Sequence, residues 1–233
     1  MTTELMGDSK AIITNQTGIH EKLDEVVKKH LSHPFKKPYQ AHTKQAFAEM
    51  DALVQAFLTA NPHGDVILDA CCGVGQSTRI LAQKKPQALV IGVDKSAHRI
   101  NRNVEGYLEG DSQSVQNYHL VRADLNDFYR LVKAANWPVA KHYILYPNPW
   151  PKSKHLQRRW HGSAVFPQMT SIGKELILRS NWPLYLQEFQ QAAKQVDLFG
   201  NLSELAVNEQ PLTPFEAKYQ ASGQTCWQLT LSR

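Results

Sequence analysis

A largely parallel sheet with helices on both faces is what this sequence of 233 residues predicts, and three observations predict it. From Val66 onward, short β-branched or apolar runs alternate with helical stretches, the pattern of chains that lay helices over parallel strands. The first run leads through a turn of small residues, Asp69-Ala70-Cys71-Cys72-Gly73-Val74-Gly75, straight into a helix start. Acidic residues then close the first three runs in succession, at Asp69, Asp94 and Asp124.

Strands are expected at Val66 to Asp69, Ala88 to Val93, His119 to Arg122, His142 to Tyr146 and Glu175 to Leu178, with two more near Leu202 to Val207 and Thr225 to Leu231 closing a seven-stranded, mostly parallel, Rossmann-like sheet. Helices are expected at Gly75 to Gln83, Ser96 to Glu109, Asn126 to Ala135 and Pro183 to Gln195. Residues 63–233 form this domain, and residues 1–62 read as an N-terminal helical extension. Within the extension, Leu23, Val26, Val27 and Leu31 give a short amphipathic helix, which the Ser32 to Pro38 segment breaks. Phe47, Met50, Val54, Phe57 and Leu58 then recur at helical spacing, so this second helix should pack one face on the main body before Asn61-Pro62 ends it.

Composition narrows the partners. Apolar residues at 42% and charged residues at 20% are ordinary for a globular domain, and no run is long enough to cross a membrane. The first ten residues carry Glu4 and Asp8 and lack a secretory pattern, so a cytoplasmic protein is expected, with a monomer as the default. Cys71 and Cys72 are adjacent and Cys226 is single, a poor disulfide framework, and no ligand set for a metal accompanies them. The net charge of +5 matters through its placement.

Gly73 and Gly75 leave room for a ligand against the backbone of a strand-to-helix turn. A dinucleotide site uses the same geometry, but Thr78 occupies the place of its third glycine, and the Asp69 carboxylate would repel a pyrophosphate. That carboxylate suits the ammonium of a methionine moiety. Asp94 stands where ribose hydroxyls are held, and Asp124 where an adenine amino group is met. Each acid alone could be a helix cap; together they point to S-adenosylmethionine.

After the fourth strand comes Tyr146-Pro147-Asn148-Pro149-Trp150-Pro151-Lys152, whose prolines fix the backbone of a loop at a strand's carboxyl end. Asn148 and Lys152 are therefore candidates to meet the methyl-accepting group. Lys152, Lys154, Arg158 and Arg159, interleaved with His155 and Trp160, form a basic and aromatic strip suited to phosphates and stacked bases.

These residues resemble the bacterial tRNA (guanine-N7)-methyltransferases, whose mark is a Phe-Pro-Asp-Pro-Trp-Pro-Lys loop with a basic continuation. Arg179-Ser180-Asn181-Trp182 with Tyr185 is similar to the family's Thr-Asp segment after the fifth strand, and Thr213-Pro214-Phe215-Glu216 with Lys218, Gly223 and Trp227 to its C-terminal Thr-x-Phe-Glu motif. The resemblance spans roughly residues 66–231. It implies a class I S-adenosylmethionine-dependent methyltransferase that forms 7-methylguanosine in tRNA, the family's target being guanine 46 of the variable loop. Asp69, Gly73, Gly75, Asp94, Asp124 and Asn148 would then hold the cofactor, with Asn148 also catalytic, while Lys152, Arg158, Arg159, Asn181, Thr213, Phe215 and Glu216 would face the RNA.

Four departures from the pattern concern mainly the substrate. Cys71 replaces a glycine, Asn148 and Asn181 replace aspartates, and Trp160 to Gly173 is shorter than its counterpart. Two alternatives follow. An Asn-Pro pair after the fourth strand is similar to the motif of enzymes that methylate exocyclic amines, although Trp150 stands where a second proline belongs. The other is an RNA-binding paralogue with weak turnover.

Overall fold

In a computed structural model, residues 8–105, 116–207 and 210–233 are described. Seven strands form one mixed sheet in the order β3-β2-β1-β4-β5-β7-β6: β1 (Val66–Ala70), β2 (Leu89–Asp94), β3 (Tyr118–Arg122), β4 (Val139–Leu145), β5 (Glu175–Ser180), β6 (Phe199–Glu204) and β7 (Trp227–Ser232). The helices are α1 (Leu23–Ser32), α2 (Ala41–Ala60), α3 (Gln76–Lys84), α4 (Ala97–Glu105), α5 (Leu125–Ala134), α6 (Phe166–Met169), α7 (Pro183–Lys194) and α8 (Pro214–Ala221). The expected helix Ser96 to Glu109 is described as far as Glu105, and its residues 106–109 lie outside the described residues. The chain divides into two compact units, one of Lys36–Leu145 with Gln168–Leu176, the other of residues up to Phe35 with Tyr146–Pro167 and Ile177–Arg233.

In the first unit β2 pairs in parallel with β1 and β3, and β1 pairs in parallel with β4. Every residue of β1 and β2 is buried, which is why both read as unbroken apolar runs rather than alternating ones. Ile67, Leu81, Ala82, Ala88 and Val90 form one core cluster under α3. On α2, Phe47 stacks on Trp137 at 5.3 Å and meets Phe128 of α5 edge-on at 5.4 Å. Trp137 donates its indole N–H to Asp51 at 2.7 Å, so the helix predicted to pack does so through an aromatic seam.

In the second unit β6 and β7 are antiparallel, with Phe199 opposite Ser232. Leu23 and Val27 of α1 are fully enclosed. Phe189 of α7 packs on Phe166 at 5.6 Å. Among the described residues no helix is long and apolar enough to cross a membrane.

Candidate functional site

The parallel register brings the ends of β1, β2 and β3 to one edge, with Ala70 beside Val93 and Asp94 beside Arg122. Asp94 knits this edge together. Its Oδ1 accepts the Ser96 N–H at 2.8 Å, and its Oδ2 accepts the Gly73 N–H at 3.2 Å and an Arg99 N–H at 3.3 Å. The turn after β1 holds three residues in the left-handed region, Cys71, Gly73 and Gly75, of which only Cys71 carries a side chain there.

The two glycines of the turn do different work. A Cβ added to Gly73 would meet nothing within 4 Å, so this backbone faces open space. A Cβ on Gly75 would lie 2.4 Å from Leu120, so that residue is small because β3 packs over it. Thr78 explains a third glycine that the sequence did not flag. Its Oγ1 lies 2.3 Å from where a Cβ of Gly92 would sit, so the hydroxyl can occupy the third-glycine position only because β2 gives way there.

Asp69 departs most from expectation. Its side chain is wholly buried, and Oδ2 accepts hydroxyl hydrogen bonds from Ser77 at 2.6 Å and Thr78 at 2.7 Å. Burial pushes its carboxyl up to about 6, against the pull of the two hydroxyls. An enclosed carboxylate cannot touch a ligand's ammonium directly, so Asp69 anchors the first turn of α3, and its buried Oδ1 has no donor among the described residues. Asp124 caps α5, its Oδ1 accepting the Asn126 N–H at 2.9 Å, and it stays half-buried at the end of β3.

The proline loop after β4 lies in the second unit. Tyr146 and Trp150 both take left-handed backbone, with φ of 49° and 47°, unusual for aromatic residues and held by the loop's surroundings. Asn148 is exposed, and its Oδ1 accepts the Trp150 N–H at 3.2 Å, closing a tight side-chain turn. Lys152, Lys154 and Arg158 are exposed, and the Arg158 guanidinium stacks over the Trp150 ring at 4.8 Å.

Arg159 is not part of that surface. It is 0% exposed and donates to Glu188 of α7 at 2.5 Å, to the Trp150 carbonyl at 3.1 and 3.2 Å, and to Gln16 at 2.9 Å. The expectation that it meets RNA is corrected: its charge is neutralised inside the unit. Burial works to raise the Glu188 carboxyl, but His161 and Arg159 overcome it and hold the group at about 2. Burial holds the His161 imidazole low against the pull of Glu188, whose carboxylate lies 3.0 Å from Nε2.

Glu216 needs the same correction. Thr213 caps α8 by accepting the Glu216 N–H at 3.0 Å, while the Glu216 side chain is wholly buried against Arg179 at 2.9 Å. What α8 offers to solvent is Phe215, 52% exposed, whose ring lies 6.4 Å from Tyr219, itself 5.5 Å from Tyr146. Asn181 is half-buried and donates to Gln224 at 2.8 Å. Among the described residues no three His, Cys, Asp or Glu side chains cluster to hold a metal.

Sheet order, parallel register and the strand-end turn define the class I S-adenosylmethionine-dependent methyltransferase fold. A solved antibiotic-related methyltransferase matches it at a TM-score of 0.57 and 15% identity, over 84% of this chain and 96% of that one. The chain belongs to the family described as "Putative methyltransferase", whose profile matches residues 63–229, and it is a methyltransferase. It is 22% identical to the tRNA (guanine-N(7)-)-methyltransferase of Treponema pallidum over 187 residues, 79% of this chain and 73% of that protein. It is 24% identical to the enzyme of the same name from Stutzerimonas stutzeri over 169 residues, 69% of each chain.

Proposed function

We propose that this methyltransferase forms 7-methylguanosine in tRNA, with guanine 46 of the variable loop as the target, acting as a monomer in the cytosol. The observation that carries the reading is a braced, proline-stiffened loop with Asn148, Lys152 and Arg158 exposed, on a chain similar to tRNA (guanine-N7)-methyltransferases. Among the described residues Cys71, Cys72 and Cys226 form no disulfide, which fits a reducing compartment.

The turn after β1 fits the cofactor, because the open face of Gly73 admits a ligand against the backbone. On this reading Gly73, Asp94 and Asp124 hold S-adenosylmethionine, and Asp69 and Gly75 shape the turn from beneath. The cofactor supplies an electrophilic methyl group on a sulfonium. Guanine N7 offers a lone pair and carries no proton, so the chain must align the base rather than deprotonate it. Asn148 spends its carbonyl on Trp150, which leaves its Nδ2 as a donor for guanine O6, next to N7. Lys152 and Arg158 meet phosphates, and Phe215 offers a face for an unstacked base. Thr213 and Asn181 support that surface through α8 and Gln224.

Methylation of an exocyclic amine, which needs that carbonyl as an acceptor, would have only its second lone pair, since the Trp150 N–H takes the first. The test is incubation with unmodified tRNA and labelled cofactor, followed by mass spectrometry of the nucleosides. Labelled 7-methylguanosine is the expected product. A methylated amine, or no product beside intact tRNA binding, would refute the reading.

A further inference from the structure

The N-terminal segment before α1 is extended, and its alternate residues Ile12, Thr14 and Gln16 turn inward while Ile13, Asn15 and Thr17 stay exposed. Its start is tied to the C-terminal region: the Ser9 N–H donates to the Ser222 hydroxyl at 3.1 Å, and Gln224 donates to the Ser9 carbonyl at 2.8 Å. Its middle is tied to the proline loop. The Thr14 hydroxyl donates to the Pro151 carbonyl at 2.6 Å, and Asn15 Oδ1 accepts the Ser153 N–H at 3.0 Å. Gln16 reaches deeper, accepting from Arg159 at 2.9 Å and donating to Glu188. His20 adds its backbone N–H to Glu188 at 2.9 Å. Arg159 in turn holds the Trp150 carbonyl twice and the Lys152 carbonyl at 3.4 Å.

The carbonyls of Trp150, Pro151 and Lys152 are therefore all held by donors, two of them through Arg159 and one through the N-terminal segment, which acts as a strap. A loop with left-handed Tyr146 and Trp150 keeps its shape only where its surroundings over-determine it. We infer that Thr14, Asn15 and Gln16 are positioning residues, which set turnover by fixing the conformation of the loop that bears Asn148 and Lys152. This rests on the proposed role of that loop. None of the three touches substrate on this account. They act through Pro151, Ser153 and the buried Arg159–Glu188 pair.

The test uses the full-length protein with Thr14→Val and Gln16→Ala combined, beside Thr14→Ser with Gln16→Ala and Gln16→Ala alone. Hydrogen exchange of the amides from Ser153 to Arg159 should quicken about tenfold in the double variant, while amides of β1 and β2 stay unchanged. Turnover on unmodified tRNA should fall about tenfold, with the dissociation constant for S-adenosylmethionine within about twofold of the parent value. Thr14→Ser, which keeps the hydroxyl, should restore both loop exchange and turnover to the level of a Gln16→Ala single variant when combined with that change. Unchanged exchange in the loop overturns the inference, and faster exchange with parental turnover overturns its link to catalysis. The unaltered protein separates the two levels: if it makes no methylated guanine the proposed function fails, and the exchange comparison still decides whether the strap holds the loop.

Discussion

Two carboxylates are equally hidden in this molecule, and their surroundings give them opposite chemistry. Asp69, beneath the strand-end turn, has two hydroxyls and no cation, and burial lifts its carboxyl to about 6. Glu188, behind the proline loop, receives Arg159, His161, Gln16 and the His20 backbone, and is held at about 2 despite its burial. The turn is thus built mostly from neutral hydrogen bonds and packing, and tolerates a carboxyl that is costly to ionise. The loop is built around a neutralised ion pair. Each region should therefore fail in its own way.

The largest effect is expected at the ion pair. Arg159→Ala leaves Glu188 charged and buried, and should cost roughly 3–5 kcal/mol of stability in urea denaturation. Arg158→Ala, one residue earlier but exposed, should stay within about 0.5 kcal/mol of the parent. Equal losses would mean that Arg159 is solvated like its neighbour.

The pH dependence comes next, and the two acids should pull in opposite directions. The folded chain binds a proton at Asp69 between about pH 6 and the ordinary value of 3.8, so this group's contribution to stability rises as pH falls through that window. Glu188 contributes above its ordinary value of 4.5 and loses that contribution as pH falls towards 2. Denaturation of Asp69→Asn across pH 7 to 4 should therefore show the parent gaining on the variant by on the order of 2–3 kcal/mol. Glu188→Gln below pH 4.5 should show the parent's advantage shrinking. Slopes of the same sign would remove the contrast.

Smaller effects separate the glycines. Gly75→Ala drives a methyl group into Leu120 and should cost about 1–3 kcal/mol of stability by thermal melting. Gly73→Ala meets no protein atom and should cost only the left-handed strain, about 1 kcal/mol, while weakening S-adenosylmethionine binding in isothermal titration.

How much of this the sequence carried depended on the distance between partners. The turn after β1 was legible because its strand, glycines and helix start are contiguous. Even there the surroundings of Asp69 are not legible, since its partners Ser77 and Thr78 look like ordinary helix residues in the sequence. Arg159 stands in a basic run that looks like surface in the sequence, because what buries it lies at Gln16 and Glu188, far away in the chain. The Thr213-Pro214-x-Glu216 pattern is a helix start with a cap, a proline in the first turn and a reaching acid, and α8 could have been read from it. β6 runs over Phe199–Glu204, earlier than the expected Leu202 to Val207, because the strand is mostly exposed and the apolar Leu205, Ala206 and Val207 lie beyond it. The strap before α1 left almost no trace, since polar Thr14, Asn15 and Gln16 make its contacts.

The proposed function divides the labour, assigning the cofactor to the glycine turn and the RNA to the braced loop. The direct measurement titrates S-adenosylmethionine and unmodified tRNA separately into Gly73→Ala and Arg158→Ala. Gly73→Ala should weaken only the cofactor, and Arg158→Ala only the tRNA, with a salt slope lower by about one. A substitution that shifted the other ligand as strongly as its own, or an intact tRNA salt slope in Arg158→Ala, would contradict this division.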